Sequence, residues 1–427
     1  MDRTTRDRYV VLFLLILLFA ITYLDRVCIS VAGPRIQDEL HIRPAAWGWV
    51  SAIFTLSYCL FEIPTGALGD RIGARRVLTR IVLWWSAFTA LTGAVTGYPM
   101  LLVVRFLFGA GEAGAFPNAG VAVSRWFKPS DRGTIFGTFL LASQAGAALA
   151  PLLVVPIQIR YGWRTSFYAF GVLGLVWAAA WYAWFRDSPA EKENVPAPSQ
   201  AVPPPALTPH EKFPLRLALQ SRSIRALLLT AFCYVYVYNF FQTWFHTFLV
   251  RGRGFNESGL FFSFLPYLVA GVANLCGGLL SDRLVRQIGL RNGRRFLGTG
   301  ALGIAAAFAL AAVLIHRPFV GLVLLALMYG AITFQQSIVF GVCLDIGREH
   351  SGGIVGLMNT SAQFGGLVGA LAFGYIVERF HSYDAPFVPM VALLLIGAIS
   401  WFKVDAAQPL AAVANPISRR PTLAAEL

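Results

Sequence analysis

Apolar segments of about 20 residues recur along almost the whole of this 427-residue chain, and no other feature narrows its fold so far. At 1.5 Å per residue, an α-helix needs about that length to cross ~30 Å of hydrocarbon. Twelve such segments can be placed, at 9–32, 46–68, 77–97, 99–124, 133–158, 165–185, 224–250, 258–281, 296–315, 318–344, 353–379 and 385–402. Only 13% of the residues are charged, and the mean hydropathy of +0.63 lies outside the range of water-soluble domains. The expectation is an all-α integral membrane protein embedded in a lipid bilayer. The first segment is too long for a signal sequence, contains Asp25-Arg26, and is followed by Gly33-Pro34 rather than a small-residue cleavage site.

A formal net charge of +14 raises the possibility of nucleic acid as a partner, but the basic residues lie in one set of loops rather than on one helix face. With the N-terminus in the cytoplasm, 25 of the 35 lysines and arginines fall on the cytoplasmic side and 8 outside, leaving Arg26 and Arg105 within spans. That bias is the positive-inside pattern. It predicts a multi-pass protein of the cell (inner) membrane with both termini cytoplasmic and no nucleic-acid partner.

All five cysteines (Cys28, Cys59, Cys233, Cys276 and Cys343) fall within spans and read as small core residues, with no disulfide framework and no metal site. The six histidines, His41, His210, His246, His316, His350 and His381, are scattered, without HExxH or similar spacing. An enzyme is therefore not expected.

Between the sixth and seventh segments the composition changes to prolines mixed with Glu191, Lys192, Glu193, Glu211 and Lys212, which cannot bury a core. The predicted organisation is a six-helix bundle over 1–186, a cytoplasmic linker over 187–222, a second six-helix bundle over 223–405 and a disordered cytoplasmic tail over 406–427. An internal repeat supports the division. Gly66-Ala-Leu-Gly-Asp70-Arg71, then Gly73 and Arg75-Arg76, is echoed by Gly278-Leu-Leu-Ser-Asp282-Arg283, then Gly289 and Arg294-Arg295. Asp70, Arg71, Asp282 and Arg283 are candidate gating residues, able to hold the cytoplasmic helix ends together and to release them. A weaker echo pairs Ser143-Gln144-Ala-Gly146 with Ala362-Gln363-Phe-Gly365. Parallel halves of this kind place a substrate at the midplane between two rocking bundles.

Charges inside spans are costly and usually face a bundle interior or a substrate path. Arg105 and Glu112, seven residues apart, return to one face of the fourth span, so both can line one cavity. Asp25 and Arg26 point about 100° apart. Arg26 can then face the cavity while Asp25 turns toward the fourth span, where pairing with Arg105 is expected. Asp25 and Glu112 are the candidate proton carriers, with Arg105 tuning them, because small movements of an arginine beside a partly dry carboxylate switch its protonation. Arg26 is the candidate anion anchor, since a guanidinium meets a carboxylate through two parallel hydrogen bonds and stays charged. Tyr23, Tyr58, Tyr236, Asn239, Gln335 or Gln336, Asn359 and Gln363 lie at mid-span depth and are candidate ligand-binding groups. Each can equally serve an interhelical hydrogen bond. Glu62 and His246 carry weaker signals, the first as a headgroup contact or transport residue, the second as an interfacial histidine or pH sensor. Gly109, Gly111, Gly114, Gly365, Gly366 and Gly369 read as close-packing positions. Asn256-Glu-Ser258 matches a glycosylation acceptor.

The two six-span halves, the charged central loop and the G-x-x-x-D-R-x-G-x-R-R motif resemble the major facilitator superfamily over nearly the whole chain. Tyr23-Leu24-Asp25-Arg26-Val27 with Ile29-Ser30-Val31-Ala32, and Arg105-Phe-Leu-Phe-Gly109-Ala-Gly111-Glu112-Ala-Gly-Ala-Phe116-Pro117, resemble the anion:cation symporter family within it. That family includes proton-coupled carriers of sugar acids and other carboxylates. The resemblance implies two pseudo-symmetric bundles and proton-binding acids at Asp25 and Glu112. Three departures stand out: Glu62-Ile63-Pro64 where the family has Gln-Ile-Pro, Phe245-His246 after Thr243-Trp244 where it has Leu-Pro, and Cys28 in the first-span motif. The resulting expectation is proton-coupled import of a small organic anion by a monomeric carrier, with protons as coupling ion and no other cofactor. The alternative is a proton-driven antiporter or efflux carrier on the same fold.

Overall fold

The computed structural model describes residues 3–187 and 214–410; most of the expected linker and the tail from 411 onward lie outside the described residues. The first half contains α1 (Arg3–Glu39), α2 (Pro44–Ile72), α3 (Ala74–Gly93), α4 (Tyr98–Glu112), α5 (Ala115–Trp126), α6 (Pro129–Tyr161) and α7 (Trp163–Trp184). The second contains α8 (Arg222–Thr243), α9 (Leu265–Ile288), α10 (Leu290–Leu314), α11 (Pro318–Gly347), α12 (Ser351–Phe380) and α13 (Phe387–Ser400). Helices α4 and α5 are the two parts of one crossing, so the elements make twelve crossings in two six-helix bundles. Among the described residues, ten of these crossings are long and apolar enough to span a membrane, and the apolar helix Phe387–Lys403 is shorter. The remaining crossing, α3, starts with Arg75, Arg76 and Arg80, which lower its apolar content at that end.

Several helices outrun their apolar segments. Helix α1 has 37 residues, because helical hydrogen bonding continues past the hydrocarbon into polar ends. The repeat motif has a structural job at its glycines. Gly73 and Gly289 turn the chain between α2 and α3 and between α9 and α10 with φ of +87° and +82°, a region open to glycine and strained for other residues. Asn256, rather than standing free, caps the short 3₁₀ helix ahead of α9 by accepting the Gly259 N–H at 2.9 Å.

Within the first half α1 packs on α6, α3 on α7 and α2 on α4; within the second α9 packs on α11, α8 on α12, and α10 on α11 and α13. The halves meet where α2 lies along α12 and α6 along α9. Among the described residues, the closest backbone approaches across their seam lie at the face opposite the chain ends. There a Cβ on Gly48 would sit 2.6 Å from the Ala370 carbonyl oxygen, and one on Gly374 2.3 Å from that of Pro44. Polar contacts close the same face: Gln37 donates to Thr247 at 2.9 Å, Trp47 Nε1 to the Thr243 carbonyl at 3.4 Å, and Arg43 pairs with Glu378 at 3.4 Å. The apolar core follows this asymmetry. One continuous cluster joins residues of both halves at this face, from Trp47 and Trp163 to Trp244 and Phe387. A second cluster, built on Leu15, Trp85, Trp126 and Trp181, belongs to the first half alone. Toward the face that carries the chain ends, the halves are therefore parted.

The cysteines divide. Cys28, Cys233 and Cys343 are buried as expected, whereas Cys59 and Cys276 are exposed and are not core residues.

Candidate functional site

A cavity of about 720 Å³ occupies the gap between the halves. It runs along α2 from Trp47 and Ser51 through Phe54 and Tyr58 to Glu62, a stripe of residues three or four apart on one helix face. The facing wall is α8 and the first half of α12, from Gly352 through Asn359 to Gln363. At its closed end, Trp47 and Thr243 are buried; toward the chain-end face, the wall includes exposed Cys59.

Arg26 lies in this wall. Its Nε and Nη2 both donate to Glu112 Oε1, each at 2.5 Å, while the guanidinium keeps 22% of its side-chain surface open. The rings of Tyr58, Phe54 and Tyr23 surround it, with centroids 4.9, 5.2 and 5.3 Å from Cζ. Glu112 is 1% exposed, and its Oε2 has no hydrogen-bond partner. Its position follows from the backbone. Helix α4 stops at Glu112, Ala113 leaves the helical region with ψ 135°, and Gly114 takes φ +87° before α5 begins. Gly114 is thus more than a packing glycine: a side chain there would also meet Thr65 at 2.7 Å.

Arg105 lines the same cavity as Glu112, two turns earlier on α4. Its guanidinium stacks over Phe108 and Phe54, at 4.6 and 4.9 Å. Phe54 therefore lies against two cations, one on each helix. The expected pairing of Asp25 with Arg105 is corrected: no ion pair among the described residues joins them. Asp25 is buried behind the cavity wall, where its Oδ2 accepts from Thr89 of α3 at 3.4 Å and Oδ1 has no partner. The 100° step from Arg26 carries Asp25 to the α3 side, and the aromatic rings hold Arg105.

Among the proposed ligand-binding residues, Tyr23, Tyr58, Asn239, Gln336, Asn359 and Gln363 all line the cavity. Tyr236 is a correction, because it belongs to the hydrophobic core and not to the cavity wall. Two residues along a helix is a rotation of about 200°, so the cavity face of α8 carries the stripe Tyr234, Tyr238 and Gln242 beside the adjacent Val235, Asn239 and Thr243. Sequence reading missed that stripe, although its spacing of four was there to find. Gln336 faces the cavity, whereas Gln335 is buried with neither amide atom partnered. Glu62 also lines the cavity.

His246 is away from solvent altogether. Its Nδ1 is 2.9 Å from Ser30 Oγ of the first half and its Nε2 is 2.9 Å from Ser263 Oγ of the second. Such a site suits a structural tie across the closed face rather than an interfacial position.

The candidate gating residues lie at the opposite face. The side chain of Asp70 lies outside the described residues, and Arg71 and Arg283 are exposed. Asp282, 70% exposed, is 3.7 Å from Arg294, which also holds Asp345 at 3.2 Å and Ser281 at 2.6 Å. In the first half Asp187 accepts from Arg125 at 3.1 Å and from the Arg75 N–H at 3.2 Å. Asp345 and Asp187, which the motif alone does not single out, thus tie the repeat's arginine-bearing corners within their own halves.

Known proteins resemble the chain over more than nine-tenths of its length. The family model described as Major Facilitator Superfamily matches residues 15–354. A probable sulfoacetate transporter of Cupriavidus necator is 31% identical over 97% of each chain. A hexuronate transporter of Bacillus subtilis is 29% identical over 93% of each, and a chloroplastic ascorbate transporter of Arabidopsis thaliana is 32% identical over 92% of this chain and 74% of that one. A solved bacterial homolog of the human lysosomal transporter Spinster, in an inward-facing and unoccupied conformation, has the same fold, with TM-score 0.76 and 20% identity over 94% of this chain and 97% of that one. The chain is a multi-pass membrane transporter rather than an enzyme, and it belongs to the Major Facilitator Superfamily and, within it, to the anion transporter family of these relatives.

Proposed function

We propose that the protein imports a small organic anion together with protons, by alternating access of the bundles 1–186 and 223–405 joined by the linker 187–222. It acts as a monomer in the cell inner membrane, with both termini and the tail 406–427 in the cytoplasm. The observation that carries this reading is the Arg26–Glu112 pair, a guanidinium with about a fifth of its side chain open to the cavity, whose counter-charge is a buried carboxylate. Protonating Glu112 removes that counter-charge and leaves Arg26 with surplus positive charge toward the cavity. A substrate carboxylate can then dock on two of its N–H groups. Proton and anion thus favour one another on the same guanidinium. Asp25, buried one helix face away, is the second proposed proton site.

Sulfoacetate, hexuronate and ascorbate, as named for the relatives, are all small organic acids. The polar groups opposite Arg26 (Asn239, Gln242, Gln336, Asn359 and Gln363) suit a hydroxylated acid such as a sugar acid. One elementary charge moved through 100 mV is worth about 2.3 kcal/mol, so an anion accompanied by more than one proton is driven inward by voltage as well as by pH.

The test is uptake of labelled sugar acids and sulfonates by proteoliposomes under an inward proton gradient. Accumulation above the external concentration, abolished by a protonophore, is expected. If no acid accumulates and an amphipathic dye is instead pumped against the gradient, the protein is an efflux carrier.

A further inference from the structure

On the outer wall of the first half, away from the central cavity, a groove of about 440 Å³ is lined by Arg76, Thr79, Arg80, Leu83, Trp84 and Tyr182. Arg76 and Arg80 are one turn apart on α3 and both exposed, and neither has an ion-pair or hydrogen-bond partner among the described residues. The cations and acid around them are already engaged. Arg75 donates to the Tyr182 carbonyl at 2.5 and 3.0 Å and stacks on its ring at 4.4 Å, while Asp187 is held by Arg125 and the Arg75 N–H.

The other end of the groove is apolar. Leu83 and Trp84 there are 43% and 44% exposed, while Tyr182, 51% exposed, borders the arginine end, where Arg75 stacks on it. Trp84 is fixed rather than loose: its indole N–H donates to the Leu107 carbonyl of α4 at 2.8 Å, and the ring lies so close to Gly111 that a Cβ there would sit 1.8 Å from Cδ1. From Arg76 to Trp84 the helix rises about 12 Å, the distance from a headgroup phosphate down into the upper acyl chain.

We propose that this groove binds one anionic phospholipid, with its phosphate on Arg76 and Arg80 and an acyl chain along Leu83 and Trp84. Two free guanidinium groups at one end select the negative headgroup, and the fixed indole at the other gives the chain a wall that free phosphate cannot use. Trp84 rests on the residue that precedes Glu112, so occupancy of the groove also steadies the segment of α4 that presents the carboxylate to Arg26.

The experiment is a titration of the full-length protein in detergent, read by thermal unfolding, with phosphatidylglycerol, phosphatidylcholine or inorganic phosphate. Phosphatidylglycerol is expected to raise the melting temperature saturably, with half-saturation at least fivefold higher in R76Q/R80Q and unchanged in R222Q/R286Q, which removes two exposed arginines elsewhere. Equal half-saturation in R76Q/R80Q and wild type overturns the site. An equal effect of phosphatidylcholine or of inorganic phosphate overturns the anionic lipid as its ligand. If R76Q/R80Q purifies poorly, Arg80→Gln is compared with Arg222→Gln by native mass spectrometry. Lower phosphatidylglycerol retention in Arg80→Gln supports the site, and equal retention overturns it.

Discussion

Arg26 and Glu112, 86 residues apart in the chain, are joined by two nitrogens on a single carboxylate oxygen, and the other oxygen of that carboxylate is left without a partner. The guanidinium is the cavity's side of the pair and the acid is the protein's side. Neutralising the acid and removing the cation should therefore have different consequences.

Glu112→Gln keeps the shape and one acceptor but cannot carry a proton. Purified variant in proteoliposomes should still exchange internal for external substrate at rates within about threefold of wild type, while accumulation under a proton gradient falls to simple equilibration. Accumulation like that of wild type would remove Glu112 from coupling. Glu112→Ala leaves Arg26 without its buried counter-charge, a change that typically costs about 3–5 kcal/mol, and should lower thermal stability well below that of Glu112→Gln.

Arg26→Ala should abolish detectable binding by calorimetry. Arg26→Lys separates charge from geometry, because an ammonium cannot offer two parallel N–H groups to one carboxylate. Losing one charge-assisted hydrogen bond of about 1.5–3 kcal/mol predicts affinity roughly 10- to 100-fold weaker. Affinity of Arg26→Lys equal to wild type would show that charge alone recruits the anion.

The twelve crossings, the two halves and the residues of the central pair were legible in the sequence, because hydrocarbon length and the cost of a charge in lipid leave few alternatives. What the sequence left open was rotation about each helix axis where the whole turn is apolar or aromatic. On α8, Tyr234, Tyr236 and Tyr238 are equally tyrosine in the sequence, and only packing against α12 decides that Tyr236 turns away from the cavity. The partners of Arg105 were hidden for a similar reason, since aromatic rings took a place where an acid was expected. The exposed or buried status of Cys59 and Cys276 depended on where the halves part, which composition does not encode.

That rotation can be tested directly. Tyr238→Phe removes a hydroxyl from the cavity wall and should raise the KM for a hydroxylated acid several-fold. Tyr236→Phe should leave KM unchanged. An effect of Tyr236→Phe at least as large as that of Tyr238→Phe would reverse the assignment of the two faces.

Closure of the face opposite the chain ends rests on backbone contact between α2 and α12, reinforced by Ser51 and Thr243, whose hydroxyl oxygens are 2.8 Å apart across the halves. Gly48→Val places a branched side chain where even a Cβ would be 2.6 Å from the Ala370 carbonyl oxygen, a contact that neither backbone can relieve without separating the halves. The wedge should therefore favour the form open at this face and closed at the other. Cys59 supplies a native reporter, being exposed on the cavity wall toward the chain ends. Labelling of Cys59 by an impermeant maleimide, from the chain-end side of the membrane and in a variant lacking Cys276, should be several-fold slower in Gly48→Val than with Gly48 retained. The opposite perturbation, Ser51→Cys with Thr243→Cys, should on oxidation block transport yet leave Cys59 labelling fast. Transport that survives the crosslink would mean the halves do not part along this seam.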